Sequence, residues 1–119
     1  MLEILFDNIK YLIGENDKDN WNIIDLAKHE NQNYIWFHLN SYPSPHVIMC
    51  DTESNIKKNK IDYNYSWKEY IKTGAQLCID HTSNKYKNIP KLKVIYTEIK
   101  NIKKGVKIGE VITTKFNLI

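Results

Sequence analysis

Arginine is absent from this 119-residue chain; all 17 basic residues are lysine. Any anion the chain meets is met by mobile point charges, without the planar fork a guanidinium offers to carboxylate or phosphate. Cysteine is nearly absent too, with only Cys50 and Cys78, far apart and in no CxxC pair. That argues against a disulfide scaffold and a short-spaced zinc site, and it fits a reducing compartment, so cytoplasm is the expected location. Glycine and proline number 4 and 3, which excludes collagen-like and linker-like chains. No glycine-rich phosphate loop occurs. No run approaches the roughly 20 apolar residues of a spanning helix. The start, Met1 to Phe6, carries Glu3 and no basic leader, so neither a membrane partner nor a secretion signal is expected.

What is present suffices for one core. With 42% hydrophobic residues, a chain of this size buries roughly two-thirds of its unfolded surface, and a single domain over residues 1–119 is expected. The chain holds 18 Ile, 17 Lys and 14 Asn, the signature of AT-rich coding, which accounts for the missing arginine. Charge is unevenly placed. Residues 1–80 hold 8 Lys against 12 Asp and Glu, a net −4, whereas residues 81–119 hold 9 Lys against Glu98 and Glu110, a net +7. A domain that turns one side toward a polyanion shows such a split; so does a solvated lysine face.

The local patterns predict an α+β fold, a mostly antiparallel sheet with two packed helices. Leu2 to Phe6 and Lys10 to Ile13 read as short strands closed around Asp7-Asn8, with Gly14 ending the second. Asp17 or Asp19 can cap a helix running to about Lys28, broken by Asn31-Gln32-Asn33. Tyr34 to Leu39 and His46 to Cys50 form a hairpin across Asn40 to Pro45, and the polar stretch Asp51 to Tyr65 reads as a mobile connection. Ser66-Trp67-Lys68-Glu69 is a capping box. From it an apolar stripe (Trp67, Tyr70, Ile71, Gly74, Ala75, Cys78) runs to His81, and its small middle residues let the helix lie close on a sheet. Leu92 to Ile99 is a strand, Asn101 to Gly105 a basic turn, and Ile108 to Phe116 a last strand.

Four pieces, in order along residues 10–112, carry a family resemblance. They are Ile13-Gly14-Glu15-Asn16 with Asn20 and Ile23-Ile24; Ile35-Trp36-Phe37-His38 followed by His46-Val47; Gly74-Ala75-Gln76-Leu77-Cys78 with Ser83; and Val94 to Thr97, Asn101 to Lys104 and Ile108 to Val111. Together they resemble the NFACT-R domain, a module at the C-terminal end of ribosome quality-control factors and also found as short stand-alone proteins. Three positions depart from the family pattern: Glu15 where it has lysine, Tyr34 where it has an acidic residue, and Pro45 where it has a small one. The resemblance implies nucleic-acid binding in a translation or ribosome-associated role, with structured RNA (tRNA or rRNA) as partner and DNA as the alternative. Lysine neutralisation of phosphate points the same way from charge alone.

The candidate binding residues are Trp36, His38, Ser44 and His46 around the hairpin, and Lys91, Lys93, Lys100, Lys103, Lys104 and Lys107 in the basic segment. If Ile35 and Phe37 point inward, Trp36 and His38 face a cleft and can stack on bases; in the opposite register they are buried and hydrogen-bonded. With ordinary pKa values near 6.5, the histidines would add positive charge below neutrality and would fix the 40–45 loop. His38, His46 and Cys50 can be brought to one face, but no short-spaced ligand pair supports a metal, and no metal, cofactor or catalytic residue is expected. Two alternatives remain. One is phosphoester hydrolysis by His38 and His46, with or without a metal; the other is docking of a ribosomal or viral protein through Tyr42, Tyr63 and Tyr65.

Overall fold

In a computed structural model, which describes residues 1–119, the chain opens with a hairpin. Strands β1 (Leu2–Phe6) and β2 (Ile9–Ile13) pair antiparallel, Leu2 opposite Ile13 and Phe6 opposite Ile9. Between them Asp7 and Asn8 have φ of 50° and 66°, the left-handed pair that a two-residue turn needs to match strand twist and that Asp and Asn tolerate well. The helix that follows, α1 (Asp17–Glu30), is capped by Asn16 rather than by either aspartate. Asn16 Oδ1 accepts from the Asp19 backbone N–H at 2.8 Å, which frees Asp17 and Asp19 to complement the helix dipole from its first turn. The hairpin of β3 (Ile35–Leu39) and β4 (Val47–Met49) forms as expected, with Trp36 opposite Ile48.

Residues 51–65 are not a loose connection. They hold α2 (Glu53–Lys58), capped by Thr52, and a 3-10 turn at Lys60–Asp62. Ile56 is buried in the core, the Tyr63 hydroxyl donates to Asp51 Oδ2 at 2.7 Å, and the Tyr65 ring stacks on Phe6 at 5.2 Å. The Asp7 carboxylate accepts from the Asn64 backbone at 2.9 Å and from the Tyr70 hydroxyl, pinning the segment to the first hairpin. Residue spacing alone misses this, because the partners lie up to 63 positions apart.

Helix α3 (Trp67–Asp80) starts at Ser66, whose Oγ accepts from the Glu69 N–H at 3.3 Å; the Glu69 carboxylate turns back to the Ser66 hydroxyl at 3.4 Å. Short α4 (Asn84–Lys87) leads to β5 (Val94–Glu98) and a 3-10 turn, Ile99–Asn101. The expected long strand over 108–116 is replaced by fragments. β6 (Lys103–Lys104) pairs with β7 (Val111–Ile112) in a separate ribbon, and only β8 (Asn117–Leu118) rejoins the main sheet.

The main sheet has the order β1-β2-β4-β3-β5-β8, every neighbouring pair antiparallel. Two connections skip a strand: α1 carries the chain from β2 over β4 to β3, and α3 lies in the connection from β4 over β3 to β5. Both move the same way across the sheet but start from oppositely directed strands. Right-handed crossovers then require the helices to lie on opposite faces. They do. Ile35, Phe37, Val47 and Met49 meet Tyr70, Ile71, Ala75 and Cys78 of α3, whereas Leu12, Trp36 and Ile48 meet Ile23, Ile24 and Ala27 of α1. Gly74 fixes the spacing on the α3 side: a Cβ there would lie 2.3 Å from Phe37 Cζ.

Candidate nucleic-acid interface

Alternation along β3 sends Trp36 and His38 to the α1 face and Ile35 and Phe37 to the α3 face. Because both faces are covered, Trp36 is not an exposed stacking platform. It is 1% exposed, and its indole N–H donates to His46 Nδ1 at 3.1 Å. His46 is itself 3% exposed, with its backbone N–H donating to Asn20 Oδ1 at 3.2 Å. His38 stacks on the Trp36 ring at 5.7 Å and stands edge-to-face with His46 at 5.0 Å.

Partner chemistry assigns both tautomers. Indole N–H only donates, so His46 Nδ1 is bare and its proton sits on Nε2. A carbonyl only accepts, so His38 Nδ1, 2.7 Å from Leu39 O, carries the proton and its Nε2 is bare. Neither Nε2 has a partner within the protein, yet no buried side-chain nitrogen or oxygen is left unsatisfied. Neither atom is therefore fully enclosed, and both residues line a cleft of about 630 Å³ together with Tyr42, Ile95, Val111 and Phe116.

Burial, reinforced by the neighbouring His38, pushes the His46 pKa down to about 3; burial also lowers that of His38, against the opposing bond to Leu39. Both shifts run against the expected gain of positive charge below neutrality. Nor do the histidines fix the 40–45 loop. Ser44 does, accepting from the Leu39 N–H and donating to Pro45 O, both at 3.0 Å. With these two bonds Ser44 positions the loop. Cys50 and Cys78 are neutral thiols, burial raising them to about 12 and about 11, and no group of three His, Cys, Asp or Glu side chains converges on a point.

The six candidate lysines do not form one face. Lys91 and Lys93 precede β5, beside the 40–45 loop, where the Asn40 N–H donates to Lys93 O at 2.8 Å. Lys91 follows Pro90 with φ 58°, the left-handed position of a tight turn, which holds it out from the sheet. Lys100, Lys103, Lys104 and Lys107 lie beyond the other end of β5, a strand length of at least about 13 Å away. There the β6–β7 ribbon rides on α1: Trp21 Nε1 donates to Glu110 O at 2.9 Å, and Lys104 lies over the Trp21 ring while bridging to Asp25 at 2.7 Å. Lys100 pairs with Glu98 at 3.6 Å. Lys91, Lys93, Lys103 and Lys107 are exposed and make no ion pair.

Residues outside the candidate set complete the surroundings. Tyr86 of α4 packs against Tyr42 at 5.7 Å, which brings Lys85 and Lys87 beside the 40–45 loop. Phe116 and Lys115 belong to the arm that joins β7 to β8 along the cleft. All of these lie in or against the +7 segment, the one signal that could have pointed to them. The N-terminus of α1 is acidic, with Glu15, Asp17 and Asp19 together, and the Met1 amino group pairs with Glu15 at 2.6 Å and Asp19 at 2.7 Å.

No helix is long and apolar enough to cross a membrane. No protein-family model matches the chain, and no curated protein matches it. Among solved structures, the C-terminal part of the fibronectin/fibrinogen-binding protein from Streptococcus suis is similar in fold, with a TM-score of 0.68 and 20% sequence identity over 98% of this chain and 42% of that one. The chain thus spans under half the length of that structure, and at such identity the likeness concerns the fold alone.

Proposed function

We propose that the protein is a nucleic-acid-binding module that takes structured RNA, tRNA or rRNA, in a translation-associated role of the kind the NFACT-R resemblance implies. One observation carries the reading: exposed lysines without ion pairs belong to the two segments that border a single open cleft. Lys91 and Lys93 adjoin the 40–45 loop through the Asn40–Lys93 bond, Lys103 and Lys107 belong to the ribbon, and Asn40 of the loop and Ile112 of the ribbon both line the cleft. Two cationic segments separated by a strand length suit a backbone that carries phosphate at regular intervals. Lysine-only chemistry suits contact that positions a polyanion rather than one that reads a planar group.

The reading contains no catalytic step. A buried imidazole with a pKa near 3 is a poor proton acceptor at neutrality, and Ser44 has no histidine partner. The test is a binding titration with tRNA over a salt series. With three to five phosphates contacted, the log-log slope should be about −3 to −4.5 for duplex regions. Lys103→Glu with Lys107→Glu, and separately Lys91→Glu with Lys93→Glu, should each flatten the slope by roughly 2. Binding indifferent to salt and to both double changes would refute it.

A further inference from the structure

From the two histidines at the cleft we infer that it takes the edge of an unpaired nucleobase, read by a donor and an acceptor on neighbouring rings. The inference rests on the nucleic-acid reading above and adds what part of the ligand enters. Trp36 makes His46 a donor at Nε2, and Leu39 O makes His38 an acceptor at Nε2. The rings are 5.0 Å apart, and the buried one, 3% exposed, has no other use for its proton. A backbone phosphodiester, which has no O–H, offers only acceptors. It would satisfy His46 and confront the bare lone pair of His38, so the pair selects against it. A base edge carries donor and acceptor on adjacent atoms, amino beside ring nitrogen in cytosine, and it satisfies both at once.

The walls agree with this choice. Tyr42 and Phe116 supply rings on which a base can lie, Ile95 and Val111 supply apolar surface, and about 630 Å³ is ample for one base. The pair itself is neutral, so its contribution is polar recognition without charge attraction. Division of labour follows: lysines outside the cleft hold the backbone, and the histidines within it take a base that has left its stack.

The test uses the whole chain with nitrogen-15-labelled histidine and two probes, cytidine, which has no phosphate, and dimethyl phosphate, a phosphodiester anion with no O–H. The free protein should show His38 protonated at Nδ1 and His46 at Nε2. Cytidine should shift both Nε2 resonances and phosphate neither. His38→Phe, which keeps a ring on Trp36, should move the His46 response to higher cytidine concentration, by about fivefold. It should also weaken binding of oligocytidylate about fivefold, the loss of one hydrogen bond, while leaving fully paired duplex RNA unaffected. A phosphate response, the opposite tautomers, or silence toward cytidine would overturn the inference. A cytidine response in a protein whose tRNA binding ignores salt would instead sustain the base site and sink the lysine-based reading.

Discussion

Gly74 gives the sharpest test of the packing that holds the site. A Cβ built there lies 2.3, 2.5 and 2.8 Å from Phe37 Cζ, Cε1 and Cε2, whereas carbon atoms settle at about 3.5–4.0 Å. The ring must therefore withdraw by roughly 1 Å. Phe37 is fully buried on the middle of the sheet, packed against Tyr96 at 6.0 Å, so it has no free volume to enter. Overpacking of this kind costs about 1–3 kcal/mol, here toward the upper end. Against it stands the helix preference of alanine over glycine, about 1 kcal/mol. Gly74→Ala should thus destabilise by about 1–2 kcal/mol, which for a chain of this length lowers Tm by about 4–8 °C. Gly74→Leu should lose more. In a Phe37→Leu background the obstacle is gone, and the same Gly74→Ala change should become neutral or stabilising by up to about 1 kcal/mol. Thermal and urea unfolding of the unchanged protein and these variants measures this directly. A rise in Tm for Gly74→Ala in the otherwise unchanged protein would show that helix and sheet are not in close contact at Phe37.

Stability should also fall with acid in a window set by His46, whose folded pKa of about 3 lies below the unfolded 6.5. The unfolded chain binds the extra proton below 6.5, so the contribution is complete above that pH and is lost as pH falls toward 3, about 2 kcal/mol by pH 5. His46→Gln, which keeps an acceptor for Trp36, should remove most of that slope in urea titrations at pH 7.5 and 5; an unchanged slope would mean His46 is solvated. Trp36→Phe leaves His46 Nδ1 without its donor and a void beside it, and unfolding should become easier by about 2–4 kcal/mol. Tyr11→Phe removes only the 2.8 Å bond to Tyr70 O and should cost about 1 kcal/mol. A loss for Tyr11→Phe as large as that for Trp36→Phe would contradict the ranking. Between pH 7.5 and 6, the pH profile of tRNA affinity should not depend on His46, so His46→Gln should leave it unchanged; a profile flattened by that change would place His46 in water.

The elements with strong local signals were legible from residue order. Asp7-Asn8 closes its hairpin because both residues accept a left-handed backbone, Ser66 starts α3 because its hydroxyl meets an orphan N–H three residues on, and small Gly74 marks a close approach. These are interactions over a few positions, or a size constraint visible in one residue. The charge split was equally plain, and so was the closeness of His38 to His46 across one hairpin. What β3 could not declare was which of its faces is solvated, since Ile35-Trp36-Phe37-His38 is apolar or aromatic on both. The two crossovers decided that, sending α1 and α3 to opposite faces and burying Trp36 against His46. The polar stretch 51–65 was ordered by the same means, through Asp7, Tyr70 and Phe6 brought from elsewhere in the chain. Likewise, lysines close in sequence parted to opposite ends of β5, because an extended strand carries its flanks away from each other. Residue order determined which groups exist and their local geometry; only the tertiary structure decided which of them face water, since exposure depends on what the rest of the chain covers.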